Sequence, residues 1–188
     1  MQQPLTATDF QSRLTELGNS PTDSGSLDMI VRRPESGERE VVQQADLHPN
    51  DGVVGDNWST RGSSHTEDGN ADPNRQITLM NSRVLRAIES QPSRWALAGD
   101  QLIVDLDLSI YNLQPGHQIS IGTAILEITD IPHTGCANFT ARFGHDAIRF
   151  VNSKEGRDMR RRGIYARVVQ AGSIQVGDTV SKIVAEAD

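Results

Sequence analysis

Between Gln101 and Thr129 the chain repeats one pattern three times: a short run of alternating apolar and polar residues, then a turn. Leu102, Val104, Leu106 and Leu108 alternate with polar or charged neighbours except where Ile103 intrudes; Ile119 and Ile121 do likewise, and Ile125 and Leu126 more loosely. A period of two sends side chains to opposite faces of a strand, and Gly116 and Gly122 stand where the chain must reverse. LDMIVRRP (Leu27 to Pro34) and REVVQQADL (Arg39 to Leu47), around the turn-rich ESGE, predict a hairpin. RQITLMN (Arg75 to Asn81) predicts a further strand, with Asn81 capping a helix through Val84, Leu85 and Ile88. IYARVVQ and GDTVSKIV close the chain around AGSIQVG, read as a turn. Many short strands and few helices predict a mostly β, barrel-like or sandwich-like fold with small helices closing one end.

Two segments change to helical spacing. At the start, Thr8 and Gln11 have capping-box spacing, Phe10, Leu14 and Leu17 recur at helical intervals, and Gly18 can end the helix. Asn19 to Ser26 then reads as a linker. From Cys136 to Arg162, Phe139 and Phe143 lie four apart, Ala147, Phe150 and Val151 follow, and GRDMRRRG ends at Gly163. A chain of 188 residues fits one domain over residues 27–188, with residues 1–26 as a helical extension and linker. His48 to Gly62 is a long loop, and SSHTEDGNADPN after it is expected to be a mobile surface loop.

Several function classes are excluded. A formal net charge of −7 argues against nucleic acid and anionic membrane as partners. No apolar run reaches a membrane span, and MQQPLTATDF lacks the basic-then-apolar order of a signal peptide, so the cytoplasm is expected. A single cysteine allows neither an internal disulfide nor a cysteine-rich metal site. His48, His65, His117 and His145 lack metal-ligand spacing, and no G-x-S-x-G elbow is present.

Three segments remain as site candidates. PHTGCANFTARFG (Pro132 to Gly144) leaves a strand and puts Cys136, preceded by His133 and Gly135, at the start of a helix. Unpaired amides and the helix dipole favour a thiolate there, and an imidazolium at His133 facing the sulfur would act the same way. A thiolate is a nucleophile and a soft metal ligand, whereas a lone cysteine can equally be buried and inert. DGVVGDNW (Asp51 to Trp58) could offer amides to a phosphate, or be a tight turn in which Asp56 is a structural hydrogen-bond partner. In GRDMRRRG, Arg157, Arg160, Arg161 and Arg162 cannot share one helical face; one or two could reach a phosphate and the rest form a solvated helix end.

In order, GVVGDNW, RQITLMN, AGDQLIVDLDLS, LQPGHQISIGTAILEITDIPHTGC, FGHDAIRFVNS and RRRGIYARVVQAGSIQVGDTV resemble the successive blocks of the MOSC domain, named for the C-terminal domain of molybdenum-cofactor sulfurases. The resemblance runs from about Leu27 to Ile183 and implies a β-barrel-like domain. Stand-alone members resemble enzymes that reduce N-hydroxylated compounds with a molybdopterin cofactor ligated by the matching cysteine, here Cys136. The resemblance further implies Asp100 and Gln101 in the pocket, from GDQL, and Asp56 and Asn57 in a GDR-like block. It leaves Arg142, Arg160 or Arg162 to hold the pterin phosphate, and His133 or Asp100 to manage the proton. The chain departs from the pattern at Asn57, where arginine is frequent, at Gln101, where asparagine is usual, and at His133, where several reductases carry Arg-x-Pro before the cysteine. With no flavin or iron–sulfur motif, a separate electron-donor protein is implied. A second reading makes Cys136 a persulfide carrier fed by a sulfur-donor protein, since no pyridoxal-phosphate domain is expected within this chain. A third is a non-enzymatic cofactor-binding module.

Overall fold

The alternating segments become strands, and the strands close into a ring. The computed structural model describes residues 5–184; the remaining ends of the two expected segments lie outside the described residues. In chain order the elements are α1 (Ala7–Leu17), β1 (Ser24–Arg32), β2 (Glu40–Val42), β3 (Gln44–His48), β4 (Gly52–Val53), α2 (Trp58–Arg61), β5 (Ile77–Asn81), α3 (Ser82–Ile88) and β6 (Leu102–Asp105). There follow β7 (Gln118–Ile121), β8 (Ala124–Ile128), α4 (Ala137–Asn152), α5 (Lys154–Asp158), β9 (Ile164–Gln170), β10 (Gly172–Gln175) and β11 (Thr179–Ile183).

The main sheet runs β11-β7-β8-β9-β5-β6-β1, and β1 returns to pair with β11, closing a seven-stranded barrel. The pair β5–β6 is parallel, and β2 is added outside β1. Closure removes the open edges that a sheet of short strands would otherwise expose. Strand β1 serves both neighbours: Ser24 to Ser26 pair with β11, and Ser26 to Ile30 pair with β6 across an irregularity between Leu27 and Met29. A small second sheet, β10-β3-β4, lies beside the barrel.

The barrel interior is filled by Leu27, Ile30, Leu79, Leu102, Val104, Ile119, Leu126 and Ala166, among others. A second core lies outside it, where α1, α3, α4 and a 3-10 turn over Pro92–Ala98 bring together Phe10, Met80, Leu85, Trp95, Phe139 and Phe150. Ile103 belongs to this second core while Leu102 and Val104 belong to the first. Strand β6 is therefore buried on both faces, which is why Ile103 interrupts the alternation.

Several local expectations need correction. The N-cap of α1 is Thr6, two residues before Thr8: its side chain accepts from the Asp9 amide while Asp9 accepts from the Thr6 amide at 2.7 Å, so the capping-box partner is the Asp9 carboxylate and not the Gln11 amide. Strand β1 begins at Ser24, inside the expected linker, and α1 packs on the domain with Phe10 3 % exposed and 5.7 Å from the Phe150 ring. The expected hairpin pairs only over β2; Gln44–His48 leaves for the second sheet, where it meets the AGSIQVG segment, a strand in its middle rather than a turn. The expected helix from Cys136 onward is kinked at Gly144 (φ 88°), stops at Asn152, and restarts as α5 under a Ser153 cap. Asn81 does cap α3, accepting from the Val84 amide at 3.0 Å while donating to Leu106 O at 2.8 Å.

Candidate functional site

The loop after β8 delivers Cys136 to the N-cap of α4. The loop is pinned where Gly135 donates its amide to Asn152 Oδ1 at 2.9 Å. The space is tight: a Cβ at this position would come within 3.1 Å of the Ile148 side chain and 3.3 Å of Val151. Phe139, one turn on, is buried and anchors the helix, so Cys136 is held at its end and is exposed to solvent. The inert, buried cysteine is thereby set aside.

Cys136 lines a cleft of about 360 Å³, a volume within the usual range for small-molecule sites. Six arginines line it with the thiol: Arg33, Arg39, Arg61, Arg75, Arg142 and Arg162. The one carboxylate in the lining is Asp72. In a chain of net charge −7 this is a strongly cationic concavity.

Three of the six are held by carboxylates. Arg33 donates Nε to Asp56 Oδ2 and Nη2 to Oδ1, both at 2.8 Å, and Asp56 also accepts the amides of Arg33 (2.9 Å) and Trp58 (3.0 Å). Arg162 donates Nη1 to both oxygens of Asp100, at 2.9 and 2.7 Å, donates Nη2 to Ala98 O at 3.0 Å, and lies 4.9 Å over the Phe139 ring. Arg75 donates Nε to Asp72 at 3.2 Å and stands 5.4 Å over the Tyr165 ring. Among the described residues no carboxylate pairs with Arg39, Arg61 or Arg142. Desolvation lowers Arg39 and Arg61 from the ordinary guanidinium range, and neighbouring cations add to it: Arg142 and Arg33 for Arg39, Arg33 for Arg61. Arg39 Nε is buried without a partner. Arg142 is steered by a bond from Nη1 to Leu97 O at 2.6 Å. Between Arg39 and Arg142 lies Gly99, at φ +90°, where a Cβ would meet Arg142 Nη1 and Arg39 Nη2 at 3.8 Å each. Side chains that converge on one glycine without an anion of their own form a ready oxyanion clamp.

His133 lines the cleft but takes a different part from the expected imidazolium. It is buried, its ring 4.5 Å from Tyr165, with Nδ1 3.7 Å from Asp100 Oδ1 and lacking a hydrogen bond. Burial, then the charges of Arg162, Arg75 and Arg33, pushes it well below the usual histidine value, so the ring is neutral despite the adjacent carboxylate. Burial likewise pushes the Asp100 carboxyl upward, opposed by Arg162.

The other expected residues are dispersed. Asp100 and Gln101 are 0 % exposed and sit behind the lining. Gln101 Oε1 accepts from the Thr78 amide at 2.9 Å and its Nε2 donates to Gln76 O at 3.1 Å, so its longer arm ties β5 to β6 and does not reach the cleft. Asp56 is the structural partner of the tight turn, and Asn57 only precedes α2, without capping it. Arg160 lies outside the cleft at φ 45°, bonded to Leu113 O at 2.5 Å, where it fixes the loop after β6. Arg142 and Arg162 do line the cleft. Reading the sequence missed Arg33, Arg39, Arg61, Arg75 and Tyr165. For Arg33 a signal existed: in the Arg32–Arg33 pair at the end of β1, alternation forces one arginine inward, and Arg32 is the one turned out to Glu40 at 2.8 Å.

Comparison with known proteins agrees with this architecture. The YuaD protein from Bacillus subtilis superposes with a TM-score of 0.62 at 15% identity, covering 84% of this chain and 94% of that one. YiiM from Escherichia coli gives 0.55 at 16%, covering 87% and 72%, and YiiM from Geobacillus stearothermophilus 0.52 at 13%, covering 88% and 75%. No curated protein sequence matches the chain. The model of the MOSC domain matches residues 66–181, which include Cys136, Arg142 and Arg162 but not Arg33, Arg39 or Arg61. A match over more than half of the chain, on a closed barrel of this kind, makes the chain a member of the MOSC domain family.

Proposed function

We propose that the cleft binds a molybdenum cofactor through the Cys136 thiolate and reduces N-hydroxylated compounds. The observation that carries this reading is the exposed Cys136 opening onto the same cleft as Arg39, Arg61 and Arg142, none of which has a carboxylate partner among the described residues. The donor set fits such a group. No cluster of three or more histidine, cysteine or acidic side chains capable of holding a metal exists among the described residues, so a metal at Cys136 must bring its other ligands with it. A pterin dithiolene does so, and its phosphate suits the clamp of Arg39 and Arg142 at Gly99.

When bound, the cofactor supplies the electrons for reducing the N–O bond. The chain's own residues do the rest. Asp56 and Asp100 fix Arg33 and Arg162, so two walls of the cleft are rigid before anything binds. The neutral His133 holds no spare proton at neutral pH beyond its single ring N–H, and Tyr165, its ring tilted 40° against the imidazole, places a phenol in the lining. Electrons would come from a separate donor protein, and a reducing compartment such as the cytoplasm would keep the thiol free.

The test is metal analysis of protein purified from a molybdenum-replete host, combined with reduction of an N-hydroxylated amidine using a chemical reductant. Near-stoichiometric molybdenum that disappears in Cys136→Ala, with activity, supports the reading; activity retained in that variant rejects it. Cyanide-releasable sulfur without metal would identify a persulfide carrier instead.

A further inference from the structure

We propose that the substrate itself is an anion, bearing a carboxylate or phosphate, and that Arg61 and Arg75 beside Tyr165 bind it at a subsite separate from the clamp at Gly99. This rests on the reading of the cleft as the reductase site.

The cleft holds more positive charge than one phosphate balances. A phosphate monoester carries about −1.5 to −2 charge at neutral pH, which compensates Arg39 and Arg142 and leaves Arg61 without a counter-charge. Arg61 and Arg75 come from different elements than the clamp: α2 and the 3-10 turn over Pro73–Arg75, which precedes β5. Arg75 uses only Nε on Asp72, and its two terminal nitrogens make no hydrogen bond among the described residues. Its guanidinium carbon sits 5.4 Å from the centroid of the Tyr165 ring, a cation–π contact that holds it at the cleft wall. Arg61 lines the same cleft as Tyr165 and has no carboxylate partner among the described residues. The guanidinium groups of Arg61 and Arg75, the Tyr165 phenol, and Ser63 and His65 of the loop after α2 line one cleft and form a polar receptor rather than an apolar slot. Neutral aromatic substrates would leave these donors unpaired, a cost that discriminates in favour of an oxyanion.

Phosphate binding to the full chain, free of cofactor, counts the subsites. Isothermal titration with inorganic phosphate should give two equivalents per chain; Arg142→Gln should remove one, and Arg61→Gln, alone or with Arg75→Gln, should remove or weaken the other at least about tenfold. Arg61→Gln alone guards against misfolding, since Arg61 is exposed and makes no ion pair. One equivalent in the wild type, or two that persist in both Arg61 variants, overturns the second subsite. In metal-loaded protein, a carboxylated N-hydroxyamidine should exceed its methyl ester in kcat/KM by about tenfold or more, with the gap closing in Arg61→Gln. Equal turnover of acid and ester overturns the assignment to substrate. If the protein takes up no molybdenum, the reductase reading falls and the phosphate count alone still decides whether the subsite exists.

Discussion

Asp56→Ala would remove the carboxylate that holds Arg33 at the wall of the cleft. In the folded chain Asp56 is fully buried and accepts four hydrogen bonds, two from the Arg33 guanidinium and two from the amides of Arg33 and Trp58. The substitution strands a guanidinium whose side chain is only 10 % exposed and orphans two backbone donors. Breaking a buried pair from one side costs about 3–5 kcal/mol, and the lost amide bonds place this case at the upper end. For a domain of this size about 4 kcal/mol corresponds to a fall in Tm of roughly 8–16 °C. Urea denaturation followed by circular dichroism should show the midpoint falling at constant slope. Adding Arg33→Met to Asp56→Ala should restore much of the loss, because no charge is then left buried. A loss under about 1 kcal/mol in the single variant, or no recovery in the double, would refute the account of Asp56 as the anchor of Arg33.

Other outcomes follow from the same geometry. His133 is neutral in the folded chain and pushed well below its unfolded value near 6.5, so the unfolded chain binds the extra proton on the acid side. Stability should be unaffected by this group above about pH 6.5 and fall as pH drops from there toward the folded value, with a slope approaching about 1.4 kcal/mol per pH unit. In His133→Gln that acid-side slope should shrink, and an unchanged slope in denaturation curves between pH 5 and 7 would contradict it. Phe10→Ala should cost about 3–4 kcal/mol, since Phe10 fills the second core against Phe150; a shift in urea midpoint worth less than about 1 kcal/mol would make α1 an accessory. Arg142→Ala should lower pterin retention roughly tenfold or more while Arg160→Ala leaves it unchanged, as pterin content by fluorescence would show.

The barrel was legible where one face of a strand meets the core and the other meets polar surroundings, as at Ile119 and Ile121 in β7. It was obscured where both faces are covered, as at Ile103, or where a strand is a few residues long between glycines, as in β10. The thiol was legible because its setting is local: a strand end, Pro132, Gly135 and a helix start within one segment. The arginine wall was not, because its members come from α2, α4, the 3-10 turn before β5, the turn before β9 and the segment between β1 and β2, and only closure of the barrel brings them together. Gln101 and Asp56 show the reverse error. Both stand at positions that the family resemblance marks for the pocket, yet their polar atoms are taken up by Thr78, Gln76 and Arg33 within the wall. Burial of a polar side chain is satisfied from whichever neighbour the topology supplies, and spacing along the chain does not reveal that neighbour.

The central claim is that the Cys136 sulfur is the protein's ligand to a metal in the arginine-lined cleft, and alkylation of that sulfur by iodoacetamide measures it most directly. Mass spectrometry should show Cys136 modified readily in metal-free protein, since it is exposed at the helix end, and strongly protected in molybdenum-loaded protein. Equal modification with and without bound metal would show that the sulfur is free in both states and would contradict the account.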